Sequence, residues 1–233
     1  MKITPELVLG GLGLALLGWG HFNGLVVAPP EAMMGDVGRI LYVHVPTAWI
    51  GLATYLAAFI AAIGTLWTGK AAWDAAVEST VEVGVILNAL LLFQGSIWAK
   101  PTWGVYWTWD PRLTTSAIMV VAFGGIMVLR RMIDQPPRRM TISAIATIVA
   151  FVNVPITYMS VKWWRTLHQN FSSPETVSST MVTPLRVAAV GMLLLATAMI
   201  IARWRIAHRA LAAETAESEL PPEPQPLELG GDA

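Results

Sequence analysis

An all-α integral membrane protein with six transmembrane helices is the fold class this sequence predicts, and three observations predict it. Of its 233 residues 55% are apolar and 13% charged, against about 25% charged in ordinary soluble domains, and the mean hydropathy is +0.58. Six apolar runs approach or exceed the roughly 20 residues that a helix needs to cross a bilayer. Cysteine is absent, which excludes disulfides, thiolate metal sites and covalent cofactor attachment through Cys-X-X-Cys-His.

The first run, about Leu7–Val27, follows Thr4-Pro5-Glu6. It is longer than the apolar core of a signal peptide, and Pro29-Pro30-Glu31 stands where a small-residue cleavage site would lie, so a retained span is expected. The second and third runs cover about Ile40–Trp67 and Val81–Trp98. The fourth, Leu113–Leu129, follows Asp110-Pro111; the fifth is Ile142–Met159; the sixth, Leu185–Ile201, follows Thr183-Pro184. In each of the three start signals a capping side chain precedes a proline whose missing N–H costs nothing in the first helical turn. Residues 1–205 thus form one transmembrane domain. The remainder, 206–233, reads as a disordered acidic tail, because Glu214–Asp232 holds six acids, four prolines and no aromatic residue.

Gly64-Thr-Leu-Trp-Thr-Gly69-Lys70-Ala71 nearly spells a phosphate-binding loop. Ala71 replaces the hydroxyl that would hold Mg²⁺, and a membrane helix precedes it instead of a strand. Any ATPase working with this protein is therefore expected on a separate chain.

With both termini cytoplasmic, the inner side carries nine of the 15 cations, including the Arg130–Arg139 and Arg203–Arg209 clusters, as the positive-inside rule asks. The formal net charge of zero then conceals an inner side made acidic by the tail and an outer side with a cationic surplus. On this topology eight of the 11 tryptophans lie at or near the outer ends: Trp19, Trp49, Trp98, Trp103, Trp107, Trp109, Trp163 and Trp164. An interfacial aromatic belt accounts for some of them but not for their density in the outer loop between the third and fourth helices. That loop, Trp103-Gly-Val-Tyr106-Trp107-Thr-Trp109-Asp110, presents a flat aromatic platform whether it is extended or helical. It fits two roles equally, resting in lipid headgroups or stacking on a large planar ligand.

His44 and His168 come from separate outer connections, and both are set among aromatics. An ionisable group near hydrocarbon is a functional candidate, and burial favours the neutral imidazole, whose lone pair can bind a metal. Singly each reads as a hydrogen-bonded structural histidine; as a pair facing the tryptophan loop they read as axial ligands of a heme iron. His21 and His208 read as interfacial and solvated. Outer cations Arg112 and Arg165 suit two propionates, with Asp36, Asp110, Glu175 or lipid phosphate as competing partners. Asp110 is first a helix cap and second a site-shaping residue.

Trp103-Gly104-X-X-Trp107-X-Trp109-Asp110-X-Arg112-Leu113-Thr114 resembles the signature of the tryptophan-rich heme-handling protein family. His44-Val-Pro46 and Trp164-X-Thr-Leu-His168-Gln169 resemble the two histidine segments of its short, six-span branch from the cytochrome c maturation system. The similarity runs from about Leu7 to Arg205. The resemblance implies a protein of the bacterial inner membrane that is no enzyme. It carries heme b (iron protoporphyrin IX) as cargo on the periplasmic side and hands it to a periplasmic heme chaperone, the E protein. It also implies as partners the A and B proteins of an ABC transporter, a small membrane protein known as the D protein, and membrane lipid, with no nucleic acid. Trp103, Gly104, Trp107, Trp109 and Asp110 would cradle the macrocycle, with His44 and His168 on the iron. Two other classes compete: a small-solute transporter, for which Asn88, Gln94 and Asn153-Val-Pro155 are the hints, and an electron-transfer cytochrome b.

Overall fold

The computed structural model describes residues 3–169 and 179–218; Glu175 and residues 219–233 of the expected tail lie outside them. Helix α1 (Pro5–Phe22) continues as a π-helical turn, Asn23–Val27. A 3₁₀ turn, Asp36–Ile40, leads into α2 (Leu41–Thr68), followed by α3 (Ala71–Trp103), α4 (Pro111–Arg131), α5 (Pro136–Phe151), α6 (Asn153–Trp163) and α7 (Ser179–Ser218). No strand occurs among the described residues. Because α5 and α6 make one span, six helical segments are long and apolar enough to cross a membrane, as the six apolar runs predict.

The break inside the fifth span follows from its sequence. Pro155 lacks the N–H that would bond the carbonyl of Phe151, and the Val152 N–H tightens onto the Val149 carbonyl at 3.2 Å. Side chains then tie α6 to its neighbour α4. Asn153 donates to the Thr115 carbonyl (2.7 Å), and Arg112 Nη1 to those of Thr157 (2.6 Å) and Tyr158 (3.2 Å).

Helices α1 and α7 meet through small residues. A Cβ added at Gly13 would lie 2.7 Å from the Leu195 nitrogen, and one at Gly191 2.6 Å from the Leu17 nitrogen, so the two backbones approach as only glycine allows. Between α2 and α4 the fully buried rings of Tyr55 and Phe123 stack at 3.7 Å.

Helix α3 starts a full ten positions ahead of the apolar run, because its first turns carry Asp74 and Glu78, which hydropathy counts against a span; a third acid, Glu82, stands just inside the run. Each acid meets an arginine. Arg130 of α4 donates to both oxygens of Asp74 (2.8 Å each) and to Glu78 (2.7 Å), and Arg203 of α7 pairs with Glu82. At the same end Arg205 pairs with Glu6 (2.6 Å) and Arg139 with Glu214.

Two expectations need correction. Pro184 lies inside α7, which already begins at Ser179, so Thr183-Pro184 is not a helix start. Residues 206–218, assigned to the tail, continue α7: Ala207 and Leu211 are buried, and Glu214 has its arginine partner, giving this stretch the packing that its composition alone does not promise. The phosphate-loop look-alike is the α2–α3 turn, where Gly69 takes φ +63° and returns its N–H to the Thr65 carbonyl.

Candidate functional site

The end of the bundle opposite the ion pairs holds a partly open cavity among α2, α3, α4, α6 and the segment after α6. Three helices contribute walls: His44, Ala48 and Leu52 at successive turns of α2; Leu91, Gly95 and Trp98 on α3; Arg112, Leu113 and Ser116 on α4. The Tyr42 ring fixes the start of α2 by packing on Gly24, where a Cβ would come within 2.3 Å of it. That anchor sets His44 facing the cavity one half-turn later.

His44 and His168 face each other with ring centroids 6.4 Å apart and planes tilted by 36°. Two metal–imidazole bonds of about 2 Å each set axial rings roughly 6 Å apart across one iron, so this spacing fits a shared metal. His168 Nδ1 lies 2.8 Å from the Gln169 carbonyl oxygen. A carbonyl only accepts, so Nδ1 carries the proton and Nε2 keeps its lone pair for a ligand. Nδ1 of His44 is buried without a partner. Burial, together with the charge of Arg112, holds the His168 imidazole below the usual histidine range, against the opposing pull of the Gln169 carbonyl and Asp110.

The tryptophan loop adopts neither expected geometry. Trp103 ends α3, Gly104 terminates it with φ +81°, and the chain folds back: Ser96 Oγ donates to the Tyr106 carbonyl (3.0 Å) and Lys100 Nζ to that of Gly104 (2.9 Å). Trp103 and Trp107 line the cavity, whereas Trp109 is 82% exposed and meets Trp107 edge-on at 6.0 Å. Trp98 and Trp103 are also edge-to-face, at 5.4 Å and 68°. The aromatic surface is therefore a faceted wall and not the flat platform the alternation suggests, because the αL turn at Gly104 rotates the ring directions between Trp103 and Trp107.

Of the residues singled out from sequence, His44, His168, Trp103, Trp107 and Arg112 meet at this cavity. Gly104 shapes the turn, Trp109 faces outward, and Arg165 is exposed and off the wall. Asp110 is 7% exposed and committed to other groups: it caps α4 by accepting from the Arg112 N–H (2.9 Å), and accepts from Thr166 Oγ1 and the Leu167 N–H (2.7 Å each). Arg112 has no ion-pair partner among the described residues; its Nη1 is spent on the α6 carbonyls, while its Nε and Nη2 make no hydrogen bond with them. Trp49, Trp98 and Tyr158 also line the cavity. The i, i+4 recurrence of His44, Ala48 and Leu52 was the sequence signal for that wall.

A multi-pass helical membrane protein with a paired-imidazole, tryptophan-lined cavity at one end is the class that this fold and site define. Residues 2–218 match the family model described as heme exporter protein C, and the chain belongs to that family. Relatives bearing that name include one from Haemophilus influenzae, 35% identical over 210 residues that cover 88% of this chain and 84% of the relative. One from Escherichia coli K12 is 32% identical over 203 residues, 86% of this chain and 82% of the relative. A third, from Bradyrhizobium diazoefficiens, is 34% identical over 183 residues, 77% and 70%. The family match reaches residue 218, where the described part of α7 also ends.

Proposed function

We propose that this protein handles heme for cytochrome c maturation by holding iron protoporphyrin IX between His44 and His168 and releasing it to a periplasmic heme chaperone. The observation that carries the reading is the pair of facing imidazoles 6.4 Å apart in the wall of a cavity that Trp103 and Trp107 also line. Family membership supports the cargo. The two histidines hold the iron axially, the tryptophans pack edge and face against the macrocycle, and Arg112, a cation without a carboxylate partner among the described residues, receives a propionate. Carboxylate pairing by arginine is directional, so Arg112 also fixes the orientation of the ring in its slot.

On this reading the histidine end of the bundle faces the periplasm and the ion-paired end the cytoplasm of a bacterial inner membrane. The A and B proteins of the ABC transporter and the small D protein are its proposed partners there. Purified full-length protein titrated with hemin in detergent micelles tests the site: a six-coordinate, low-spin spectrum is expected, lost in the His44→Ala/His168→Ala double variant. Survival of that spectrum in the double variant refutes the ligand assignment. Arg112→Gln is expected to weaken hemin binding while leaving the low-spin form intact, and no loss of affinity removes the propionate role.

A further inference from the structure

The signature aspartate sits beside the cargo cavity and yet is fully engaged with protein groups, so its part in the site must be exerted through another residue. Asp110 Oδ1 accepts from the Arg112 N–H and from Thr166 Oγ1, and Oδ2 accepts from the Leu167 N–H. Thr166 Oγ1 in turn accepts from the His168 N–H at 3.0 Å. One buried carboxylate thus joins the start of α4 to the segment after α6, across 56 and 57 positions of sequence.

Among the described residues that segment has few other ties: the Trp164 N–H reaches the Ser160 carbonyl at 3.1 Å, and Gln169 Nε2 reaches Met34 Sδ at 3.2 Å. Helix α6 ends at Trp163, and Trp163, Trp164, Arg165 and Leu167 are exposed. Among the described residues, the backbone hydrogen bonds that hold the chain at His168 come from two N–H groups, those of Leu167 and His168, reaching Asp110 directly and through the Thr166 hydroxyl. An axial ligand must hold its nitrogen to within about 0.2 Å of a bonding distance, which a free connecting segment cannot do. From this geometry we infer that Asp110 and Thr166 are positioning residues that hold His168 across from His44, and that Asp110 does not contact the cargo. The inference rests on the proposed heme site.

Three substitutions separate this role from general folding. Asn is as good a helix cap as Asp, so Asp110→Asn keeps Oδ1 for Arg112 and Thr166 and replaces only Oδ2, turning an amide nitrogen toward the Leu167 N–H. Thr166→Val keeps shape and loses the hydroxyl; Thr166→Ser restores it. Full-length proteins in detergent micelles are titrated with hemin, and backbone hydrogen exchange over residues 164–169 is followed without hemin. Asp110→Asn and Thr166→Val are expected to bind hemin about 10–100-fold more weakly, with a high-spin component and faster exchange over 164–169, while Thr166→Ser behaves as wild type. Wild-type affinity and spin state in both variants overturn the inference, as does a Thr166→Ser protein no better than Thr166→Val. If wild-type protein itself gives no low-spin complex, the heme reading fails separately. Exchange alone then decides the clamp: faster exchange over 164–169 in Asp110→Asn supports it and unchanged exchange overturns it.

Discussion

Gly95 offers a test in which stability and binding move in opposite directions. It lines the cavity on α3, and a Cβ built there meets a single neighbour, His44 Cε1, at 3.3 Å. Carbon atoms pack comfortably at about 3.5–4.0 Å, so Gly95→Ala pushes the imidazole by about 0.3 Å, just over the roughly 0.2 Å latitude of a metal–ligand bond. A loss of about tenfold in hemin affinity is expected, at the low end of what disturbing a ligand's support costs. Alanine also raises helix propensity over glycine by about 1 kcal/mol, so thermal stability in micelles should stay level or increase. Gly95→Val carries branched methyls into the ring position and is expected to abolish the low-spin spectrum. Parallel hemin titrations and melting curves read both quantities. A Gly95→Val protein with wild-type affinity and a low-spin spectrum would show that His44, in the conformation seen here, is not an iron ligand.

Three further outcomes are expected. Arg130→Leu leaves Asp74 and Glu78 facing one another without their cation, at a cost of about 3–5 kcal/mol, whereas Asp74→Asn leaves the Arg130–Glu78 pair in place and costs less; unfolding in mixed micelles should rank them in that order, and the reverse order refutes the assignment. Gly191→Leu drives a side chain into the Leu17 backbone and should separate α1 from α7; spin labels on engineered cysteines, in a chain with no cysteine of its own, report the distance, and an unchanged distance removes the close-packing argument. Because the free His168 ring is held below the ordinary value of about 6.5, hemin affinity should stay level as pH falls through that value and drop only at lower pH, through the depressed value. The unfolded chain takes up that proton first, so stability also declines with falling pH below about 6.5; an affinity midpoint at or above 6.5 would contradict the burial of the ring.

The spans were legible because hydrocarbon imposes a length and a composition that six runs display openly. What escaped hydropathy was polar and long-range. The early start of α3 depends on Arg130 answering Asp74 and Glu78 from another helix, a pairing no local window contains. Pro184 resembles a start signal, yet α7 accommodates it within the helix. In the site, the two histidines, Trp103, Trp107 and Arg112 could be read from residue type and side of the membrane. Trp109 could not: strict alternation groups it with Trp107, and only the folded loop, in which the two rings meet edge-on, reveals which rings turn inward. Asp110 was recognisable as a cap because a cap is a local motif, while its grip on Thr166 and Leu167 depends on chain closure far along the sequence.

Among the described residues every ion pair that joins two helices lies at one end of the bundle, binding α3 to α4 and α7, α7 to α1, and α5 to α7. The other end is held by hydrogen bonds, aromatic edges and one ion pair within a single turn, Arg39 with Asp36. Charges therefore tie helix to helix at one end, and the histidines face each other at the end that has no such interhelical pairs. If the cavity takes the planar cargo proposed for it, widening at the histidine end would leave these interhelical pairs in place.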